Sequence, residues 1–211
     1  MSIQDAARAP SGRWLGNLVL AVAAVLALWF LFTAAFRYLN YSPAVYGADY
    51  WGRRAGLIPH IGGGVVAIST GLVQVWLGVT GRTRRLHVVL GRVYLGAVAT
   101  GSLAGFWLAL TTSGGLVFGS GLFFLSTAWA ITTVMAYLAI RRRAVEQHRE
   151  WMLRSYVVTF AFVFFRLGAH QLIANKFASP ADADPLMAWA CWSVPLLLAE
   201  PLLQYRKMKR R

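Results

Sequence analysis

Four histidines, His60, His87, His148 and His170, are the residues in this chain best suited to chemistry. Imidazole ligates metals and haem iron and moves protons near neutral pH. Their spacing sorts them into two layers. Wound as one helix at ~1.5 Å per residue, the stretch from His148 to His170 is ~33 Å long, which matches the hydrocarbon thickness of a bilayer. His60 and His170 then belong near one face of a membrane, and His87 and His148 near the other. Two histidines per layer, on different helices, is the pattern of a protein holding haem b between paired imidazoles. A single haem, or a divalent metal at one interface, fits the same residues. Otherwise, each histidine is an interfacial anchor or a hydrogen-bonded structural residue.

Arginines surround the second layer. "RRLHVVLGRVY" and "EQHREWMLRSY" each place a His before an Arg and a Tyr. Together they assemble His87, Arg92, His148, Arg149 and Arg154 at one face. Guanidinium forks match oxyanions. Arg92, Arg149 and Arg154 are therefore candidates for holding haem propionates, a lipid phosphate or a quinone-like headgroup. Ordinary loop charge explains them equally well.

Three further polar residues lie inside apolar runs. Arg166 and His170 are four apart, on a stripe with Ser155, Thr159 and Phe162, so they are neighbours on one helix face. An arginine facing lipid at depth is costly, so the stripe is expected to face the bundle interior or to snorkel outward. Glu200 is the one carboxylate within a span. Its expected partner is Arg154 or Arg92. Gln74 shares a face with Gly64, Gly71 and Gly78. Arg166, Glu200 and Gln74 could also line a transport pathway.

The elements that must position these residues are membrane helices. The chain is 58% hydrophobic and only 13% charged, against about 25% charged in soluble domains. Six apolar runs approach the ~20 residues needed to span a bilayer: Trp14–Phe36, His60–Thr80, His87–Thr112, Leu116–Ile140, Trp151–Ala174 and Leu186–Tyr205. "SGG" joins the third and fourth as a tight hairpin. The predicted fold is an all-α polytopic bundle of six transmembrane helices. Residues 1–13 form a tail, residues 14–205 a single transmembrane domain with core helices at about 60–174, and residues 206–211 a basic tail.

Charge sets the orientation. Of the 21 Lys and Arg residues, only Arg37, Arg53, Arg54 and Lys176 fall on one side and Arg166 within a span; the rest fall on the other side with both termini. The positive-inside rule then makes both termini cytoplasmic. The net charge of +14 lies in loop blocks such as "QYRKMKRR". This pattern argues against nucleic acid as a partner and for anionic lipid headgroups. The lone Cys191 excludes an intramolecular disulfide. No Ser/His/Asp elbow, phosphate loop, His-Glu-x-x-His or dinucleotide fingerprint is present.

"PHIGGGVVAISTGLVQVWLG", "LHVVLGRVYL", "HREWMLRSYVVTFAFVFFRL" and "WACWSVPLLLAEPLLQ" resemble the bacterial family of predicted membrane proteins termed domain of unknown function 2306. The resemblance runs from about Ala44 to Tyr205. His87–Val88 departs from the His-Arg usual there. The resemblance implies a multi-pass protein of the bacterial cytoplasmic membrane and assigns no activity. Layered histidines are also loosely similar to ascorbate-reducible di-haem cytochromes b, although the fourth helix here carries none. Three functions follow as expectations: a redox protein binding haem b or a quinone, a small transporter or lipid-binding protein, and a ligand-free assembly factor. Whether the protein is an enzyme, and its oligomeric state, are not set by these residues.

Overall fold

The computed structural model describes residues 11–80 and 83–208. The tail residues 1–10 and 209–211, and the loop position Arg82, lie outside the described residues. The rest is helical, with no strand among the described residues. Helix α1 (Ser11–Phe30) continues through a π turn (Leu31–Ala35) and a 3-10 turn (Phe36–Leu39). Next come a short α2 (Pro43–Gly52) and the long helices α3 (Arg54–Thr80), α4 (Arg84–Leu110) and α5 (Gly115–Arg141). The chain ends with α6 (Val145–Thr159), α7 (Ala161–Ala174) and α8 (Pro180–Met208).

Five helical segments are individually long and apolar enough to cross a membrane, or six if the bent pair of α6 and α7 is one span. Helices α3, α4 and α5 have 27 residues each, ~40 Å at ~1.5 Å per residue and longer than the ~30 Å hydrocarbon core. The protein is an all-α polytopic bundle. With the bent pair taken as one span, the start of α1, the α3–α4 and α5–α6 connections and the end of α8 lie at one end of the bundle, here the terminal end. The α2 segment and the α4–α5 and α7–α8 turns lie at the other, the α2 end.

Three features shape the bundle. The fifth run is not one helix: α6 and α7 meet at an angle of 41°. Neither Pro nor Gly causes this break. Thr159 Oγ1 donates to the Ser155 carbonyl at 2.9 Å, and the Phe160 amide is shared between the Tyr156 and Val157 carbonyls. A Thr that back-bonds to the carbonyl four residues earlier competes with the helix ladder and bends it. The last helix begins at Pro180 rather than Leu186. Ser179 caps it by accepting from the Asp182 amide and donating to the Asp182 carboxylate at 2.6 Å, with Pro180 suited to the first helical position. The segment after α1 folds back over the bundle. Tyr46 is buried with Leu57 and Leu108, and Ser113 of the α4–α5 turn donates to Asp49 at 3.2 Å.

Lipid supplies no hydrophobic drive between helices, so small residues and polar ties hold them together. Gly63 of α3 lies against α4, where an added Cβ would stand 2.6 Å from the Ala97 carbonyl oxygen. Buried hydroxyls tie α4, α5 and α6. Tyr94 bonds Ser155 at 2.7 Å and Thr159 at 2.8 Å. Ser155 bonds Thr133 at 2.6 Å, and the Trp129 indole donates to Thr159 at 2.9 Å.

A cavity at His60 as candidate functional site

A partly open cavity of about 160 Å³ lies among α1, α3, α4, α5, α6 and α7, toward the α2 end. Its walls are mainly apolar, from residues such as Phe30, Ile61, Leu122 and Phe162. His60, Ser126, Trp129, Thr159, Arg53 and Arg166 supply its polar groups, with Tyr38 and Tyr50 near the arginines. The volume is close to that of a cavity of ~150 Å³ that accepts a benzene ring. This space suits one six-membered ring.

His60 is held by two glycines. Its Nδ1 lies 2.9 Å from the Gly101 carbonyl oxygen. An added Cβ at Gly105 would stand 3.3 Å from that nitrogen and 2.6 Å from Ser126 Oγ. Gly105 therefore gives His60 and Ser126 their room, and Gly101 gives His60 its partner. A carbonyl oxygen only accepts, so Nδ1 must carry the hydrogen. In neutral imidazole the lone pair then sits on Nε2. Metal-binding and base-type histidines are commonly oriented this way.

Two guanidiniums flank the cavity differently. Arg53 donates to the Leu108 carbonyl at 3.2 Å, pairs with Asp49 and stacks on Tyr50 at 5.2 Å. Its Nε is buried without a partner. Arg166 lines the cavity while remaining exposed. Among the described residues no carboxylate lies within ion-pair distance of it.

The other expected residues fall elsewhere. His170 is exposed and does not line the cavity. The stripe shared with Arg166 therefore stops before His170, and His60 and His170 do not face one cavity. At the terminal end, His87 and His148 are near enough to interact electrostatically. His148 donates Nδ1–H to the Ala136 carbonyl at 2.9 Å, whereas His87 Nδ1 is buried without a partner. No group of three or more metal-ligating side chains forms among the described residues, and structural zinc needs four ligands.

Arg154 does not wait for an external acid. It grips Glu200 with Nε and Nη2 at 2.7–3.0 Å and stacks on Trp151 at 4.8 Å. Of the two partners expected for Glu200, Arg154 is the one used. Arg92 and Arg149 are exposed, and Arg149 pairs weakly with Glu146 at 3.5 Å. Gln74 donates to the His87 carbonyl at 2.6 Å. Arg166, Glu200 and Gln74 thus sit in three separate places, and of the three Arg166 lines the cavity.

Sequence reasoning missed Arg53, Tyr50, Ser126 and Trp129 as site residues. Arg53 and Tyr50 reach the cavity only because α2 folds back. Trp129 and Ser126 carry no local signal beyond being polar groups three apart on an apolar helix.

No curated protein and no solved structure is significantly similar to the chain. Residues 57–203 match the family described as predicted membrane protein, DUF2306. The match includes His60, Ser126, Trp129 and Arg166, and begins after Tyr38, Tyr50 and Arg53. With an all-α membrane bundle built around these matched residues, the chain belongs to the DUF2306 family of predicted membrane proteins.

Proposed function

We propose that the protein is a multi-pass protein of the bacterial inner membrane that binds the ring of a quinone-class redox lipid at His60. One observation carries this reading. His60 lines a ring-sized, mainly apolar cavity together with Arg166, and with Nδ1 committed to Gly101 its remaining polar atom is Nε2. Ligand sites of this kind combine apolar walls with a few polar groups that fix orientation. A partly open cavity between lipid-facing helices leaves an apolar tail a way into the bilayer.

Haem b fits the cavity poorly. Bis-histidine ligation needs two imidazoles on opposite faces of one macrocycle. His170 does not reach the cavity, and about 160 Å³ is the space of one ring.

The terminal end carries Arg84, Arg85, Arg141, Arg142, Arg143 and Arg149, all exposed. Positive-inside bias puts that end, with both termini, in the cytoplasm, where anionic headgroups are partners for these arginines.

The test is equilibrium binding of a radiolabelled short-chain benzoquinone, in its oxidised and reduced forms, to the protein in nanodiscs, with Gly64→Leu as control. Gly64 lines the cavity, and a Cβ there meets nothing within 4 Å. Leucine at this position should fill the cavity while the bundle still folds. Saturable binding that falls at least tenfold in Gly64→Leu supports the site. Binding that is unsaturable, or equal in the two proteins, overturns it.

A further inference from the structure

We infer that the cavity selects a ring carrying a free hydroxyl, the hydroquinone form, over the dicarbonyl quinone. This deepens the quinone-class reading and rests on it.

On the α4 side, His60 Nδ1 is committed to Gly101, so neutral His60 offers an acceptor at Nε2 and nothing else. The nearby polar groups cannot easily reverse that. The Trp129 indole donates to Thr159, and Thr159 donates to the Ser155 carbonyl within the helix. No carboxylate lines the cavity to pair with an imidazolium among the described residues. On the α7 and α2 side, the guanidiniums of Arg166 and Arg53 are donors only. The cavity therefore presents a fixed acceptor at one side and fixed donors at another, with the Ser126 hydroxyl able to turn to either role.

A hydroquinone meets both demands. One O–H donates to His60 Nε2, and an oxygen across the ring accepts from a guanidinium. A quinone meets only one. Its carbonyl oxygen would set lone pairs against the lone pair of Nε2, which would be left unpaired in an apolar site. Leaving a buried polar group unsatisfied costs enough to weaken binding about tenfold or more. Sites built to bond a hydroxyl reject analogues that lack it far more strongly than apolar pockets reject a missing methylene. His60 acts here as a specificity-determining residue, and no bond needs to be made or broken for the selection.

The experiment titrates nanodisc-embedded protein, under anaerobic conditions, with three ligands of identical ring and tail. These are the short-chain benzoquinone, its hydroquinone and the O-methylated hydroquinone. The expected result is hydroquinone binding at least tenfold tighter than both others. The methyl ether keeps the oxygen and removes the donated hydrogen, so its weakness locates the discrimination in that hydrogen without any variant. In His60→Ala the preference should shrink to within about twofold while binding persists. Equal affinities for quinone and hydroquinone, both lost in Gly64→Leu, overturn the selectivity and leave the cavity reading standing. Tighter binding of the quinone also overturns it. Saturable binding of none of the three overturns the selectivity and the cavity reading together.

Discussion

The two ends of this bundle use the same side chains for opposite ends. His60 and His148 each hold Nδ1 2.9 Å from a carbonyl oxygen of a neighbouring helix. Arg154 and Arg166 each leave the α6–α7 segment as an arginine in an apolar setting. At the terminal end the polar chemistry is largely closed: Arg154 meets Glu200, Gln204 donates to Glu200 at 2.6 Å, and Gln74 bonds the His87 carbonyl. At the α2 end it stays open. His60 keeps one nitrogen for a cavity, and Arg166 meets no carboxylate among the described residues. Residue type alone therefore does not mark the site. What marks it is hydrogen-bonding capacity left over where there is also room, because a protein with no use for a buried polar group normally satisfies it.

The largest effect should come from neighbouring glycines that lie on opposite sides of this divide. Gly63→Leu drives a side chain into the Ala97 carbonyl and the Gly101 backbone, where an added Cβ would already stand 2.6–3.0 Å away. Backbone cannot yield as a side-chain tip does. The α3–α4 contact should open at a cost of about 3 kcal/mol, the upper range for overpacking. The expected outcome is loss of the monodisperse peak on size exclusion and of the thermal transition in detergent. Gly64→Ala, one residue on, faces the cavity and should melt within a degree or two of the parent. If both variants collapse, or neither does, the cavity is wrongly placed relative to α3.

The arginines sharpen the contrast at the next level. Arg154→Leu strips Glu200 of its forked partner. Hydrogen bonds to charged groups are worth about 1.5–3 kcal/mol. The Glu200 side chain is 43% exposed, so screening pulls the expected loss toward about 1 kcal/mol. Ligand affinity should hold within twofold. Arg166→Leu should do the reverse, leaving the melting temperature in place and weakening hydroquinone binding about tenfold. Paired melting curves and binding isotherms on the two variants decide the matter. Equal behaviour of the two would erase the distinction between the ends.

Much of this arrangement is legible in the chain, and the parts that are not have physical causes. The six apolar runs and the Arg154–Glu200 pair follow from length, charge and depth, which membrane physics constrains tightly. The break at Phe160 hides because its cause is a threonine hydroxyl, not the Pro or Gly that usually announces a kink. Heptad spacing picks the Gly64, Gly71, Gly78 face, yet Gly63 makes the tight α4 contact and Gly64 lines the cavity. One residue turns a helix by about 100°, more than spacing alone can resolve. His170 shares a stripe with Arg166, but it lies one turn, ~5.4 Å, further along α7, and is exposed rather than part of the cavity. Arg53 and Tyr50 were unreadable as site residues because nothing local dictates that α2 folds back.

The smallest predicted effect tests how far the two ends communicate. Tyr94 is fully buried between them, and its hydroxyl bonds both Ser155 and Thr159. Removing a hydroxyl from such a place would ordinarily orphan its partners. Here both partners have other bonds: Ser155 keeps Thr133 at 2.6 Å, and Thr159 keeps the Ser155 carbonyl and the Trp129 indole. Tyr94→Phe should then cost only the ordinary ~0.6 kcal/mol of an interhelical hydrogen bond in a membrane, read as a small drop in the thermal transition. Because Trp129 and Thr159 stay tied, the cavity wall should hold its shape and hydroquinone affinity should stay within twofold. A loss above about 2 kcal/mol would mean that the hydroxyls act as one concerted unit. A loss of affinity with unchanged stability would mean that the cavity senses the packing of the α4–α6 contact beneath it, and the division between a closed end and an open end would have to be redrawn at Tyr94.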